Sequence, residues 1–309
     1  MKKGKPLLPG DTIGVIAPSS PKPEIVPTAL AELEALGFQV KLGETCRQTY
    51  GGYLAGPAEW RAKELNAMFA DPEVDGIMCL RGGYGSPQIL PLLDYECIAD
   101  NPKLFIGYSD ITALHTALGQ RAGLATLHGP MASAGIAHTL DPVSRDYLLR
   151  AMTQAEPLGQ IVNPEGEELV CLVDGEASGP IVGGNLSLVA ALMGTPYELD
   201  TKGKLLFLED IDEEPYRVDR MLTQLALAGK FSDAAGIILG TWTNCESKKY
   251  KDGFGVLDVF REIVVPYGKP TIWNLQAGHG FYNIALPFGV KASMNATDGI
   301  LVIEESVVE

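Results

Sequence analysis

Residues 104–115 read LFIGYSDITALH, and how this stretch is parsed decides the fold. Leu104, Phe105 and Ile106 form a short unbroken apolar run, the mark of a strand buried on both faces; from Ile111 onward the pattern becomes helical. Between them, Gly107-Tyr108-Ser109-Asp110 has to turn the chain within four residues. A buried strand running through a tight turn into a helix is half of a βαβ unit. The same grammar recurs upstream: TIGVIAP (12–18) precedes PEIVPTALAELEAL (23–36), FQVKL (38–42) precedes PAEWRAKELNAMFA (57–70), and VDGIMCLRGG (74–83) precedes a short helix. Strands alternating with helices predict a mostly parallel sheet. In such sheets ligands collect at the carboxyl ends of the strands, which here carry the turns APSS (17–20), RGGYGS (81–86) and GYSD (107–110).

A chain of 309 residues is long for one compact unit, so two domains are expected. Residues 1–153 carry the alternating pattern and form the first. Residues 154–180, rich in Gly, Pro and Glu with one short apolar run, read as a linker holding a strand. Residues 181–309 form the second domain. It has a glycine turn opening a helix (GPIVGGNLSLVAALMG), a buried strand (KLLFLED), an amphipathic helix stopped by Gly229, and a further strand (GIILG). The closing stretch IALPFGVKASMNATDGILVIEE alternates around an Asp-Gly turn and is expected to pair antiparallel at an edge.

Composition narrows the function. The formal charge is -15, with a pI near 4.7, which argues against a nucleic-acid partner, since phosphate binding needs a basic surface. Five scattered cysteines, with no Cys-x-x-Cys pair, point to free thiols in a reducing compartment. The N-terminal lysines are followed by PLLPGDTIGVIAP, too interrupted for the apolar core of a signal peptide, and no run is long enough to span a membrane. The cytoplasm is the expected address.

Ser109 is the first candidate for chemistry. A serine at a strand-to-helix turn can project its oxygen into open space beside the amide of Asp110, joining nucleophile and oxyanion donor. The local motif, G-x-S-x-I, lacks the second glycine of the usual elbow, so the alternative that Ser109 or Asp110 merely caps the helix stands beside it. RGGYGS could aim amides of Gly82 or Gly83 at an anion, or could simply be a turn; Arg81 could hold a substrate carboxylate or a surface one. His279, in the Gly-His-Gly of NLQAGHGFYN, is the leading candidate base. His128 at another strand end is its main competitor, and His115 is expected to point away from the turn. Glu209 abuts the apolar run LLFLED and is the carboxylate best placed to orient an imidazole, whereas Asp210, Asp212, Glu213 and Glu214 also read as a solvated acidic loop. No histidine spacing suggests a metal site.

RGGYGS, IGYSDITALH, GGNLSLVAALMGTPYE, LFLEDIDEEPYRVDRMLTQL and AGHG, in this order over nearly the whole chain, resemble the LD-carboxypeptidase family of serine peptidases. That family includes murein tetrapeptide carboxypeptidases and microcin C immunity peptidases. The resemblance implies an N-terminal flavodoxin-like domain with a parallel sheet and a C-terminal α/β domain with a β-barrel-like sheet. It also implies a triad of Ser109, His279 and Glu209, and an oxyanion hole from the amides of Asp110 and Gly83, with Gly82 as the alternative donor. The implied reaction is hydrolysis of the amide joining an L-centre to the terminal D-alanine of a murein tetrapeptide, in cell-wall recycling, by a cytoplasmic homodimer without metal or other cofactor. Arg81 and Asn185 are the candidates for gripping the substrate carboxylate.

Three other readings remain at this stage. An immunity-type peptidase would cleave an aspartyl-nucleotide amide; the absence of Trp, Tyr and Phe from residues 154–180 counts against a base-stacking linker loop, although Trp60, Trp242 or Trp273 could serve from elsewhere. A non-catalytic module could cradle a sugar phosphate or a peptide in the same glycine turns. A cysteine-dependent activity lacks a Cys beside a His or in a glycine turn.

Overall fold

The computed structural model describes residues 1–133, 135–138, 140–250 and 252–309. The chain forms two compact units. The first comprises Met1–Pro157, Ile284–Gly289 and Ser306–Glu309; the second comprises Leu158–Asn283 and Val290–Glu305.

In the first unit β1 (Thr12–Ile16), β2 (Gln39–Leu42), β3 (Gly76–Cys79), β4 (Leu104–Gly107) and β5 (Thr126–His128) are parallel, in the order β2-β1-β3-β4-β5. This is the flavodoxin-like order, in which the chain reverses direction across the sheet between β1 and β3. Every residue of β3 and β4 is buried, as their continuous apolar runs require. The helix Ala58–Ala70 buries Arg61, Ala62, Leu65, Met68 and Phe69, the spacing of one helical face with an arginine standing in an otherwise apolar stripe. The sheet closes with β12 (Leu286–Phe288), which pairs antiparallel to β5. The closing stretch, expected to pair antiparallel at an edge, is divided, and its first part does so here. Its first strand joins the first unit, and the last residues return there as well, with Glu309 N–H donating to Gly4 O at 2.9 Å.

The second unit holds β6 (Gly159–Ile161), β7 (Val170–Val173), β8 (Glu176–Asn185), β9 (Leu205–Ile211), β10 (Gly236–Thr243), β11 (Thr271–Trp273), β13 (Lys291–Asn295) and β14 (Ile300–Ile303). They form one mixed sheet in the order β6-β14-β13-β8-β9-β10-β11-β7. The strand β8 changes partners partway: Glu176–Pro180 lie antiparallel to β13, and Ile181–Asn185 lie parallel to β9. Residues 154–180, read as a linker with one strand, carry β6, β7 and the first half of β8. The two strands that look like linker, β6 and β7, are the edge strands of this sheet and are only three and four residues long, a length that limits pairing with other chains. The expected Asp298-Gly299 hairpin is present between β13 and β14, but β14 is covered by β6 and is not an edge.

Leu206 and Leu208 of β9, with Ile237 and Leu239 of β10, face a core shared with the helices Leu186–Ala191, Pro215–Leu227 and Val256–Ile263. Successive side chains of a strand point to opposite faces. Asp210 therefore continues the Leu206–Leu208 face toward these helices, and Glu209 lies on the other face.

Candidate active site

The sequence-predicted residues gather into two clusters, one in each unit. In the first unit β4 runs through Tyr108 into a short 3-10 turn, Ser109–Ile111, and on into the helix Thr112–Ala117. Ser109 has φ = +66°, a left-handed conformation uncommon for serine. Such a residue costs on the order of 1–3 kcal/mol and persists only where its surroundings hold it.

Those surroundings are specific. A Cβ built on Gly82 would lie 2.9 Å from Ser109 Cβ, 3.1 Å from its Oγ and 3.2 Å from the Asp110 nitrogen, so only glycine lets the β3 turn come this close to Ser109. A Cβ on Gly83 would instead strike Ser20 Oγ, so glycine is needed there for the close approach of the turn after β1. Asp110 is buried, and its Oδ2 accepts hydrogen bonds from Ser19 Oγ at 2.5 Å and Ser86 N–H at 2.8 Å; Ser86 Oγ in turn donates to the Asp110 carbonyl. One carboxylate thus ties the turns after β1, β3 and β4 to one another. From below, buried Arg61 donates to Gly56 O (2.9 Å), Pro18 O (2.6 Å), Gly85 O (2.8 Å) and Gln88 Oε1 (2.6 Å). Burial lowers the guanidinium pKa, and the Asp110 and Glu59 charges oppose that shift. Sequence reading missed Ser19, Ser86 and Arg61. The two serines sit in turns that were recognised, but Arg61 looked like any charged residue of an amphipathic helix.

In the second unit Glu209, near the end of β9 and fully buried, bonds through Oε2 to His279 Nδ1 at 2.6 Å. A carboxylate at Nδ1 fixes that nitrogen as the proton donor and leaves Nε2 as the basic nitrogen of the neutral ring. Burial pushes the imidazole pKa down, but the Glu209 charge and hydrogen bond, with Asp210 and Asp212 behind them, outweigh it and raise the pKa above 6.5. Asp210 is not in a solvated loop. Its Oδ1 accepts from Asn185 Nδ2 (2.9 Å) and Ile211 N–H (2.8 Å), and its Oδ2 accepts from Ser187 N–H (2.9 Å) and Oγ (2.8 Å). Burial and the adjacent Glu209 charge nevertheless push its carboxyl up to about 6, against those four donors.

The remaining candidates fall as follows. His115 points back into the core, with Nε2 donating to Gly107 O and Nδ1 accepting from Thr126 Oγ1, both at 2.8 Å; burial lowers its pKa to about 4. His128 is fully buried at the end of β5, its ring stacked on Phe288 at 5.2 Å and edge-on to Tyr108 at 5.9 Å. Arg81 is half-buried, with Nη1 3.4 Å from Pro21 O. Asn185 caps the helix Leu186–Ala191 through Leu188 N–H and donates to Asp210, a structural duty that the sequence did not reveal. All five cysteines are free thiols; burial pushes Cys46 and Cys79 well up and Cys245 up to about 12, away from the reactive thiolate.

Comparison with known proteins gives this geometry a family. Residues 13–129 match the LD-carboxypeptidase N-terminal domain and residues 178–294 the LD-carboxypeptidase C-terminal domain. The chain belongs to the LD-carboxypeptidase family. It is similar to a probable murein peptide carboxypeptidase of Bacillus subtilis (strain 168), at 45% identity over 99% of this chain and 96% of that protein. It also resembles the murein tetrapeptide carboxypeptidase of Pseudomonas aeruginosa, at 33% identity over 91% and 92% of the two chains. Among solved structures, the microcin C7 self-immunity protein in an inactive mutant apo state superposes with a TM-score of 0.90 at 26% identity, over 99% of each chain. No helix among the described residues is long and apolar enough to cross a membrane.

Proposed function

We propose that the chain is a serine carboxypeptidase that hydrolyses the amide between the L-centre of a dibasic residue and the terminal D-alanine of a murein tetrapeptide. The observation that carries this reading is Ser109 in its left-handed turn, held at φ = +66° against Gly82 at the carboxyl end of β4. Strain of this kind, on a serine at a strand-to-helix turn, supports the reading of a nucleophile held ready. Its base is His279, oriented by Glu209, and the short Nδ1–Oε2 contact supports that assignment. The oxyanion donors are the amides of Asp110 and Gly83, with Gly82 as the alternative.

Ser109 Oγ attacks the carbonyl carbon while His279 Nε2 takes its proton, and the resulting oxyanion is held by the two amides. His279 then gives that proton to the amine nitrogen as the C–N bond breaks, and D-alanine leaves. Water, deprotonated in the same way, hydrolyses the acyl-enzyme and restores Ser109. Arg81 is the candidate partner for the substrate carboxylate. Asn185 now has a competing structural role. The setting we propose is cytoplasmic recycling of murein peptides by a homodimer, a reading that rests on the family resemblance.

The test is release of free D-alanine from a murein tetrapeptide by wild type and Ser109→Ala, with a chelator present throughout. Release by wild type alone supports the proposal. Equal release by both would reduce Ser109 to a cap. No release by either, with cleavage of an aspartyl-nucleotide amide instead, would favour the immunity-type reading, which has the 26% structural likeness behind it against 45% for the carboxypeptidase relative.

A further inference from the structure

Thr241 lies on β10, 8% exposed, and its hydroxyl sits against the loop that carries His279. Its Oγ1 donates to Ala277 O at 3.2 Å and accepts from Gly280 N–H at 3.1 Å, while its own N–H donates to the same Ala277 carbonyl at 3.1 Å. One hydroxyl therefore clasps the backbone on both sides of the imidazole, using its single proton in one direction and a lone pair in the other. The loop is closed from its far end by Gly278 N–H donating to Asn283 Oδ1 at 3.1 Å.

The flanking glycines are shaped by the same contact. A Cβ on Gly278, whose φ is +120°, would meet Glu209 Oε2 at 2.5 Å and Thr241 Oγ1 at 2.8 Å; one on Gly280 would meet Thr241 Cγ2 at 2.8 Å. Glycine is needed here so that the loop can press onto Glu209 and Thr241. We infer that Thr241 is a positioning residue of the reaction: through the backbone of residues 277–280 it sets the height and tilt of His279 over Glu209. The inference rests on the reading of His279 as the base. No group of Thr241 touches the reacting atoms.

Thr241→Val keeps the shape and removes both hydroxyl contacts, and Thr241→Ser keeps both contacts. The imidazole in the valine variant loses its fixed tilt, so kcat is expected to fall about 10- to 100-fold with KM within about twofold. Its acid limb should move to lower pH, because the bond to Glu209 helps hold the His279 pKa up, with Asp210 and Asp212 contributing. Thr241→Ser is expected to recover most of kcat and the wild-type limb. Imidazole titration followed by 15N NMR on both variants reads the same displacement without substrate.

Wild-type kcat and an unmoved His279 titration in Thr241→Val would overturn the inference. So would a Thr241→Ser as impaired as the valine variant with an equal loss of melting temperature, since that is a packing defect. If the wild type releases no D-alanine, the parent reading fails, while the NMR titration still decides whether Thr241 positions the ring.

Discussion

Replacing Glu209 by Gln tests the second cluster at its centre. The wild-type pair is short, 2.6 Å, with the carboxylate fully buried, so the hydrogen bond is charge-assisted and unscreened by water. Hydrogen bonds to charged groups contribute about 1.5–3 kcal/mol, which sets a floor of roughly 10- to 150-fold on the loss of kcat if the amide oxygen simply takes the carboxylate's place. The amide can also present its NH2 group to Nδ1, and this stabilises the tautomer with the proton on Nε2, useless for accepting one from Ser109. In that case the loss is on the order of 10⁴-fold. The pH dependence carries an independent sign. With His279 as the proposed base, activity needs the neutral ring, and the wild-type imidazole has a pKa above 6.5, so activity should be lost as pH falls through that raised value. Without the Glu209 charge the largest remaining influence is burial, which lowers the pKa, and the acid limb moves down in pH. D-alanine release measured by an oxidase-coupled assay between about pH 5 and about 9 covers this limb. A kcat within about threefold of wild type, less than 1 kcal/mol, together with an unmoved acid limb would refute the orienting role of Glu209.

The other predictions concern the supports. Gly82→Ala forces a methyl to 2.9 Å from Ser109 Cβ and is expected to abolish D-alanine release while the circular dichroism spectrum stays native. Arg61→Met leaves the carbonyls of Pro18, Gly56 and Gly85 without their buried donor; urea unfolding should show a loss of at least about 1–3 kcal/mol, the cost of one such unsatisfied group. Asp210 has a folded pKa raised to about 6 from 3.8, so its contribution to stability is fully present below pH 3.8 and is lost as pH rises through about 6. The stability difference between wild type and Asp210→Asn should therefore change by about 3 kcal/mol across that window, and a flat difference would show that Glu209 and burial do not bear on Asp210 as argued.

Much of the first unit could be read from residues alone, because buried parallel strands have one pattern and few others produce it. LFIG and GIMC are wholly apolar and wholly buried, and the turns that follow them hold Ser109 and the glycines. The second unit hid more. Edge strands such as β6 and β7 are only three and four residues long and so are lost among the Gly, Pro and Glu around them, and nothing local in IALPF says that it leaves its neighbours to pair with β5. Ser109 and Glu209 stood out by type and by place at the ends of apolar runs, and His279 by its glycine neighbours.

Their supports did not, and the reason is physical. A residue that acts by hydrogen-bonding a loop distant in sequence carries no local signature. Arg61 spans 43 residues to Pro18, Asp110 spans 91 to Ser19, and Thr241 spans 36 to Ala277. The Gly-His-Gly motif shows the same limit from the other side. Glycines on both sides of a histidine suggest room for a ligand to approach the imidazole, whereas the space beside these two is already filled by Glu209 and Thr241. The glycines let the imidazole be held; they do not free it to move. This makes a concrete difference to Gly278→Ala, whose methyl would strike Glu209 Oε2 at 2.5 Å. Because the clash falls on the carboxylate that orients the ring, this variant should lose kcat and shift the acid limb downward as Glu209→Gln does, with KM nearly unchanged. A rise in KM at constant kcat would instead mean that the glycines leave room for substrate.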